Sequence, residues 1–141
     1  MIVLFLALSV SLPLLAGDDR PITVERLPGQ ARAFITAHFA DTPISLATMD
    51  KEFFDTTYEV FFTDGGKVEF DKNGNWKEID CKYGRVPEAA VPENIRTYLA
   101  ANQPGRSVKE IDRDRYDYEL KLDNGLELKF DLRFRLIGYD R

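Results

Sequence analysis

Two halves of this 141-residue chain follow nearly the same pattern, and that repetition constrains the fold more than any single motif. Leu27-Pro28 opens one half and Val91-Pro92 the other. Tyr58-Glu59-Val60 returns as Tyr118-Glu119-Leu120, Val68-Glu69-Phe70-Asp71 as Leu128-Lys129-Phe130-Asp131, and Ile79-Asp80 as Tyr139-Asp140. The spacing is 64 residues at the first pair and 60 at the later ones, so the second copy is four residues shorter between the positions of Ile44 and Tyr58. A length change there falls between a helix and a hairpin, where it costs little.

Each half predicts one helix followed by strands. Ala31, Phe34, Ile35, His38 and Phe39 fall at helical spacing after Pro28, and Asp41 to Pro43 stops them. Val91, Ile95, Tyr98 and Leu99 repeat the stripe until Pro104-Gly105. Such short helices must dock on something to persist. Period-two alternation supplies it. Tyr58, Val60 and Phe62 alternate with Glu59, Phe61 and Thr63. Tyr116, Tyr118, Leu120 and Leu122 alternate with Asp117, Glu119, Lys121 and Asp123. Asp64-Gly65-Gly66, Asn73-Gly74 and Asn124-Gly125 mark hairpin turns. Further strands are expected at 44–49, 75–80, 108–112 and 135–140. The expected fold is α+β, a tandem repeat of α-β-β-β-β units, residues 18–81 and 82–141. The two units are able to share one antiparallel sheet with both helices on one face.

The first residues differ from the rest. Ile2 to Ala16 is uncharged and almost wholly apolar, too short to span a bilayer comfortably, and it ends at Ala16-Gly17 before Asp18, Asp19 and Arg20. Residues 1–17 are therefore expected to be a secretory signal peptide, which predicts a periplasmic or secreted protein with no transmembrane segment in its mature chain. The competing readings are an N-terminal anchor and a buried first strand. One cysteine, Cys81, rules out an intramolecular disulfide. The net charge of −5, with acids and bases interleaved, argues against nucleic acid. Residues 18–80 hold 13 acids against 7 bases, and residues 81–141 hold 11 against 12, a modest asymmetry.

The opening Leu-Pro or Val-Pro helices and the two hairpins Tyr-Glu-Val…Asp-Gly-Gly-Lys-Val-Glu-Phe-Asp and Tyr-Glu-Leu…Asn-Gly-Leu-Glu-Leu-Lys-Phe-Asp resemble the PepSY-like, beta-lactamase-inhibitor-like family of exported bacterial proteins. The stretch from Phe70 to Asp80 is similar to that family as well. The resemblance implies tandem α+β units, a periplasmic or surface location and no established enzymatic role. It carries no inhibitory residue onto this chain, because its motifs are strands and turns. In the second half Leu132-Arg133-Phe134-Arg135 replaces Lys72-Asn73-Gly74-Asn75, so the last turn lacks its Asn-Gly signal.

No residue pattern assembles a catalytic site. His38, the lone histidine, has no nucleophile-elbow or metal-ligand companions. Asp71 to Asn75 faintly resembles a calcium loop, but Trp76 stands where the sharp-turn glycine belongs and Lys82 where the closing glutamate belongs, so a hairpin turn explains it better. The carboxylates alternate with Lys and Arg as on a solvated sheet face. Phe61, on the polar side of its strand, and Trp76, just past a turn, are the candidate partner-binding aromatics. Phe53 and Phe54 lie in the part missing from the second half. No cofactor or metal is expected. The expected function is an exported, non-catalytic module that binds a periplasmic or secreted protein or peptide; inhibition of an extracytoplasmic hydrolase is what the family resemblance alone adds to it. The alternative is a small-ligand carrier or enzyme with a pocket between the two repeats.

Overall fold

A computed structural model describes residues 19–141. The expected signal peptide, residues 1–17, lies outside them. The chain forms one nine-stranded antiparallel sheet in which every strand pairs with its sequence neighbours, in the order β1 to β9. β1 (Asp19–Ile22) leads to α1 (Gly29–His38), then β2 (Ile44–Glu52), β3 (Asp55–Phe62), β4 (Lys67–Phe70) and β5 (Trp76–Asp80). α2 (Glu93–Asn102) follows, then β6 (Val108–Arg113), β7 (Asp117–Leu122), β8 (Glu127–Asp131) and β9 (Leu136–Asp140). β5 pairs directly with β6, through Glu78–Asp112, Ile79–Ile111 and Asp80–Glu110, so the sheet is continuous across the middle of the chain.

One face of the sheet is dry. Val60, Val68, Phe70, Ile79, Ile111, Leu120, Leu122, Leu128 and Phe130 are buried there, under Ala31, Ile35 and Phe39 of α1 and its end, and Ile95 and Leu99 of α2. Ring contacts fix each helix to the strands below it. Phe34 meets Phe70 edge-on at 5.7 Å, Phe39 stacks on Phe62 at 4.7 Å, and Tyr98 meets Phe130 edge-on at 5.2 Å. Each such side chain contributes about 1.5–3 kcal/mol by leaving water. Pro28 and Pro92 stand one position before the first helical turn rather than inside it. Their carbonyls accept from the amides of Arg32 and Arg96 at 3.0 Å, which needs no N–H from the prolines.

Three details depart from the sequence expectation. β1 was not foreseen; it is four residues long and holds Pro21, which an edge strand tolerates. Tyr116 is not on the dry face: it is 66% exposed, because Asp114 accepts the amides of Tyr116 and Asp117 and turns the chain before β7 begins. The turn before β9 forms without a glycine. Asp131 Oδ1 accepts the amides of Arg133 and Arg135, as Asp71 Oδ1 accepts those of Asn73 and Asn75. Phe134 takes the left-handed backbone (φ 64°) that Gly74 takes in the first turn, and stacks on Tyr118 at 5.3 Å.

β2 and β3 are nine and eight residues long, where β6 and β7 have six each. The four extra residues therefore lengthen the β2–β3 hairpin, at whose tip Phe53 and Phe54 stand.

Candidate carboxylate face

The second face of the sheet is open, and the register decides its chemistry. Glu59 lies opposite Glu69, Glu69 opposite Glu78, Glu78 opposite Asp112, and Asp112 opposite Glu119. Five adjacent strands thus place five carboxylates in one row. Like charges directly opposite on neighbouring strands destabilise a sheet. Lysines relieve the row only in part. Lys67 Nζ lies 3.3 Å from Glu59 and 3.9 Å from Glu78, and Lys129 Nζ lies 3.4 Å from Glu119 and 3.8 Å from Asp117. Asp80 and Glu110, paired in the neighbouring row, come close to Glu78, with a carboxylate oxygen of each of the three within 4.8 Å of the others.

The centre of the row holds its protons tightly. Burial pushes the Asp112 carboxyl up to about 7, and the charges of Glu78, Glu110 and Glu119 push the same way. Asp112 Oδ1 is buried without a hydrogen-bond partner among the described residues. Burial also raises Glu69 and Glu78, against the opposing pull of Lys77 and Lys67. Burial by itself lowers Lys67, yet Glu78 and Glu59 outweigh it and hold its ammonium above the usual range. The row therefore carries more negative charge than its lysines, Lys67, Lys77 and Lys129, offset.

The aromatic candidates separate. Phe61 is half-buried on the open face, between Leu46 and Lys67 of the adjacent strands. Trp76 offers no exposed ring, being 7% exposed. Strict alternation back from Ile79 sends Trp76 to the open face, but a bulge in the β4–β5 pairing puts an extra residue, Lys77, into β5 and returns Trp76 to the dry side opposite Phe70. The Arg113 guanidinium then caps the indole, its carbon 4.0 Å from the ring centroid, and Arg113 Nε donates to the Trp76 carbonyl at 2.7 Å. Arg113→Ala should cost about 1.5 kcal/mol, since it removes a cation–π contact and a charged hydrogen bond. Trp76 is the sole tryptophan, so its emission should shift to the red in that variant, and Arg113→Lys should rescue little because a lysine cannot stack and bond at once. Unchanged emission and stability would contradict the cap.

Phe53 and Phe54 are 99% and 97% exposed, and Phe53 holds a left-handed φ of 31° that keeps the hairpin tip bent. His38 packs against the Phe34 ring at 4.6 Å, as a helix-edge residue does. Cys81 is buried, and burial lifts its thiol to about 11, so it is a poor nucleophile. The cavity at the junction of the halves, lined by His38, Cys81, Tyr83 and neighbours, holds about 100 Å³. That is below the several hundred Å³ of ordinary ligand pockets. No helix among the described residues is long and apolar enough to cross a membrane.

The comparisons with known proteins agree with this architecture. A family described as "Putative beta-lactamase-inhibitor-like, PepSY-like" matches residues 56–138. No curated protein matches the chain. Among solved structures, a "putative periplasmic protein" of the DUF2874 family from Bacteroides vulgatus ATCC 8482 is 48% identical, with a TM-score of 0.86, over 89% of this chain and 99% of that one. A "putative calcium-regulated periplasmic protein" from Bacteroides thetaiotaomicron is 51% identical, with a TM-score of 0.84, over 88% of this chain and 98% of that one. Another Bacteroides vulgatus ATCC 8482 structure, a "putative periplasmic protein of unknown function", is 38% identical, with a TM-score of 0.80, over 87% of this chain and 99% of that one. None of these descriptions names a catalytic activity, and all three structures share the periplasmic location expected for this chain. A nine-stranded α+β sheet, a family match over more than half the chain and close relatives of nearly equal length make this periplasmic protein a member of the PepSY-like, beta-lactamase-inhibitor-like family.

Proposed function

We propose that the protein is a non-catalytic periplasmic binding module that engages a cationic protein or peptide through the open face of its sheet. One observation carries this reading: the row Glu59–Glu69–Glu78–Asp112–Glu119, which its lysines offset only in part. A partner that brings Lys or Arg to the row gains the attraction and removes the repulsion within it. Phe61 on the same face, and Phe53 and Phe54 at the end of the β2–β3 hairpin, supply apolar anchors. Trp76, turned to the dry side under Arg113, takes no direct part in this face. Residues 18–81 and 82–141 are two copies of one helix-and-sheet unit in this reading, on the strength of the recurring element order. Inhibition of an extracytoplasmic hydrolase is supported only by the family's description.

Oligolysine is the direct probe. The triple variant Glu69→Gln, Glu78→Gln, Asp112→Asn should bind it about tenfold or more weakly than the native protein. Equal affinity, or equal binding of oligoglutamate, would overturn the reading.

A second reading has its own support. Glu78, Asp80 and Glu110 bring one carboxylate oxygen each within 4.8 Å of the others, a spacing a hard divalent cation can bridge, and one relative is described as calcium-regulated. The three carboxylates fit such an ion, with water completing its shell. The Asp71 loop fits less well, because Asp71 Oδ1 already accepts two turn amides. Calcium should raise the melting temperature of the native protein and leave Asp80→Asn, Glu110→Gln unmoved; equal shifts in both would place calcium elsewhere.

A further inference from the structure

The dry side of the sheet is not filled to its margins. Between α2, the 3-10 turn Glu88–Ala90 and the start of β6 lies a cavity of about 420 Å³. Val91, Leu99 and Val108, all buried, form its floor. Arg85, Arg96 and Arg106 line it, and Glu88 is the single acid among its lining residues. In a chain of net charge −5 this is a local excess of positive charge over an apolar base. Arg96 is held in place by a hydrogen bond from its Nε to the Val91 carbonyl at 3.0 Å, which leaves its terminal nitrogens for a ligand. Arg106 reaches Asp123 only at 3.5 Å, and Arg85 has no ion pair or hydrogen bond of its side chain among the described residues.

The first half provides an internal comparison. A cavity of about 530 Å³ lies at the corresponding place, between α1 and the start of β2, over Ile35, Phe39 and Ile44. Its only arginine is Arg32, the counterpart of Arg96. Phe39 and Thr42 stand there at the positions of Gln103 and Arg106. Both halves form a cavity, and only the second adds two further arginines to it. Packing of the helix on the sheet therefore does not require them.

We propose that the cavity beneath α2 is a binding site for a small amphiphilic carboxylate, an anion with a medium-length apolar tail. The guanidinium groups of Arg85, Arg96 and Arg106 take the carboxylate through forked hydrogen bonds, which a lysine could not reproduce. The valine and leucine floor takes the tail, and the volume is that of an ordinary small-molecule pocket. The site lies on the covered side of the sheet, away from the carboxylate row, and does not depend on the function proposed for that row.

Octanoate tests this, followed by amide NMR on the whole mature chain. It should bind saturably, one per chain, with shifts at Val91, Leu99 and Val108 and none at Ile35 or Ile44. Octanamide, which keeps the tail without the charge, and acetate, which keeps the charge without the tail, should each bind about tenfold or more weakly. The exposed pair Arg85→Ala, Arg106→Ala should lose the same factor while its melting temperature stays near native. Should that pair unfold, Arg85→Gln alone serves, with a smaller loss expected. No saturable octanoate binding, equal binding of octanamide or acetate, shifts centred on the first-half cavity, or a folded arginine variant of native affinity would each overturn the proposal.

Discussion

Gly74→Ala should destabilise the protein by about 3 kcal/mol or more, several times the cost of Gly125→Ala, because it combines left-handed strain with overpacking. Both glycines hold a positive φ, 89° and 85°, where a side chain is strained by about 1 kcal/mol. Their surroundings differ. A Cβ on Gly125 meets nothing within 4 Å, whereas one on Gly74 would lie 2.8 Å from the Ala31 backbone nitrogen and 3.0 Å from both the Gln30 and Pro28 Cβ atoms. The first turn of α1 rests on the Asp71–Asn75 turn, and Gln30 Nε2 donates to Asn75 Oδ1 at 2.8 Å across that contact. An added methyl group must push the helix off its sheet. Urea unfolding of the two variants beside the native protein checks this. Equal costs would mean that helix and turn are not in close contact. Phe134 supports the comparison, since the corresponding position in the second half tolerates a large side chain in the same backbone conformation.

Asp112→Asn should leave stability nearly unchanged at about pH 4 and raise it by about 2 kcal/mol at pH 8, a figure reduced for solvent screening of a partly exposed group. In the folded protein the Asp112 carboxyl sits at about 7, against 3.8 for an unperturbed one. Between those values the folded state keeps a proton that the unfolded chain has released. Its contribution is therefore fully present below about pH 4, falls as pH rises towards 7, and stays lost above. An asparagine has no proton to lose, so its advantage opens across that window. Asp114, Asp123 and Asp131 act oppositely: hydrogen bonds hold their carboxyls below the ordinary range, and what they contribute is lost as pH falls. The difference between variant and native protein isolates Asp112. Thermal melts at several pH values measure it, and a difference that does not grow with pH would contradict it.

Most elements were legible in the sequence because their signals are local. Alternation around Val60, Leu120 and Leu128 gives a strand and its dry face, and Asn124-Gly125 gives a turn, without knowledge of any distant residue. The misses are of another kind. Trp76 was offered as a binding aromatic from its place just past a turn, and the bulge that turns it to the dry side is set by the partner strand, not by its own sequence. Tyr116 was misplaced because the side chain of Asp114, two residues earlier, captures its amide. Phe134 hides its turn, since no rule of composition expects a phenylalanine in left-handed backbone. The carboxylate row was invisible for the strongest reason. Glu78 and Asp112 are opposite each other only because β5 pairs with β6 in one particular register, and each acid taken alone reads as an ordinary solvent-facing strand residue. The cavity under α2 was missed likewise: its arginines come from the linker, the helix and the loop after it, and only the fold brings them together.

A carboxyl-carbon NMR titration of the native protein addresses the open face most directly. Asp112 should titrate near 7, with Glu69 and Glu78 above ordinary glutamates, and saturating oligolysine should draw all three downward. Ordinary values for the three groups, unmoved by oligolysine, would show that the face carries no unrelieved charge and leave it without a reason to bind a cationic partner.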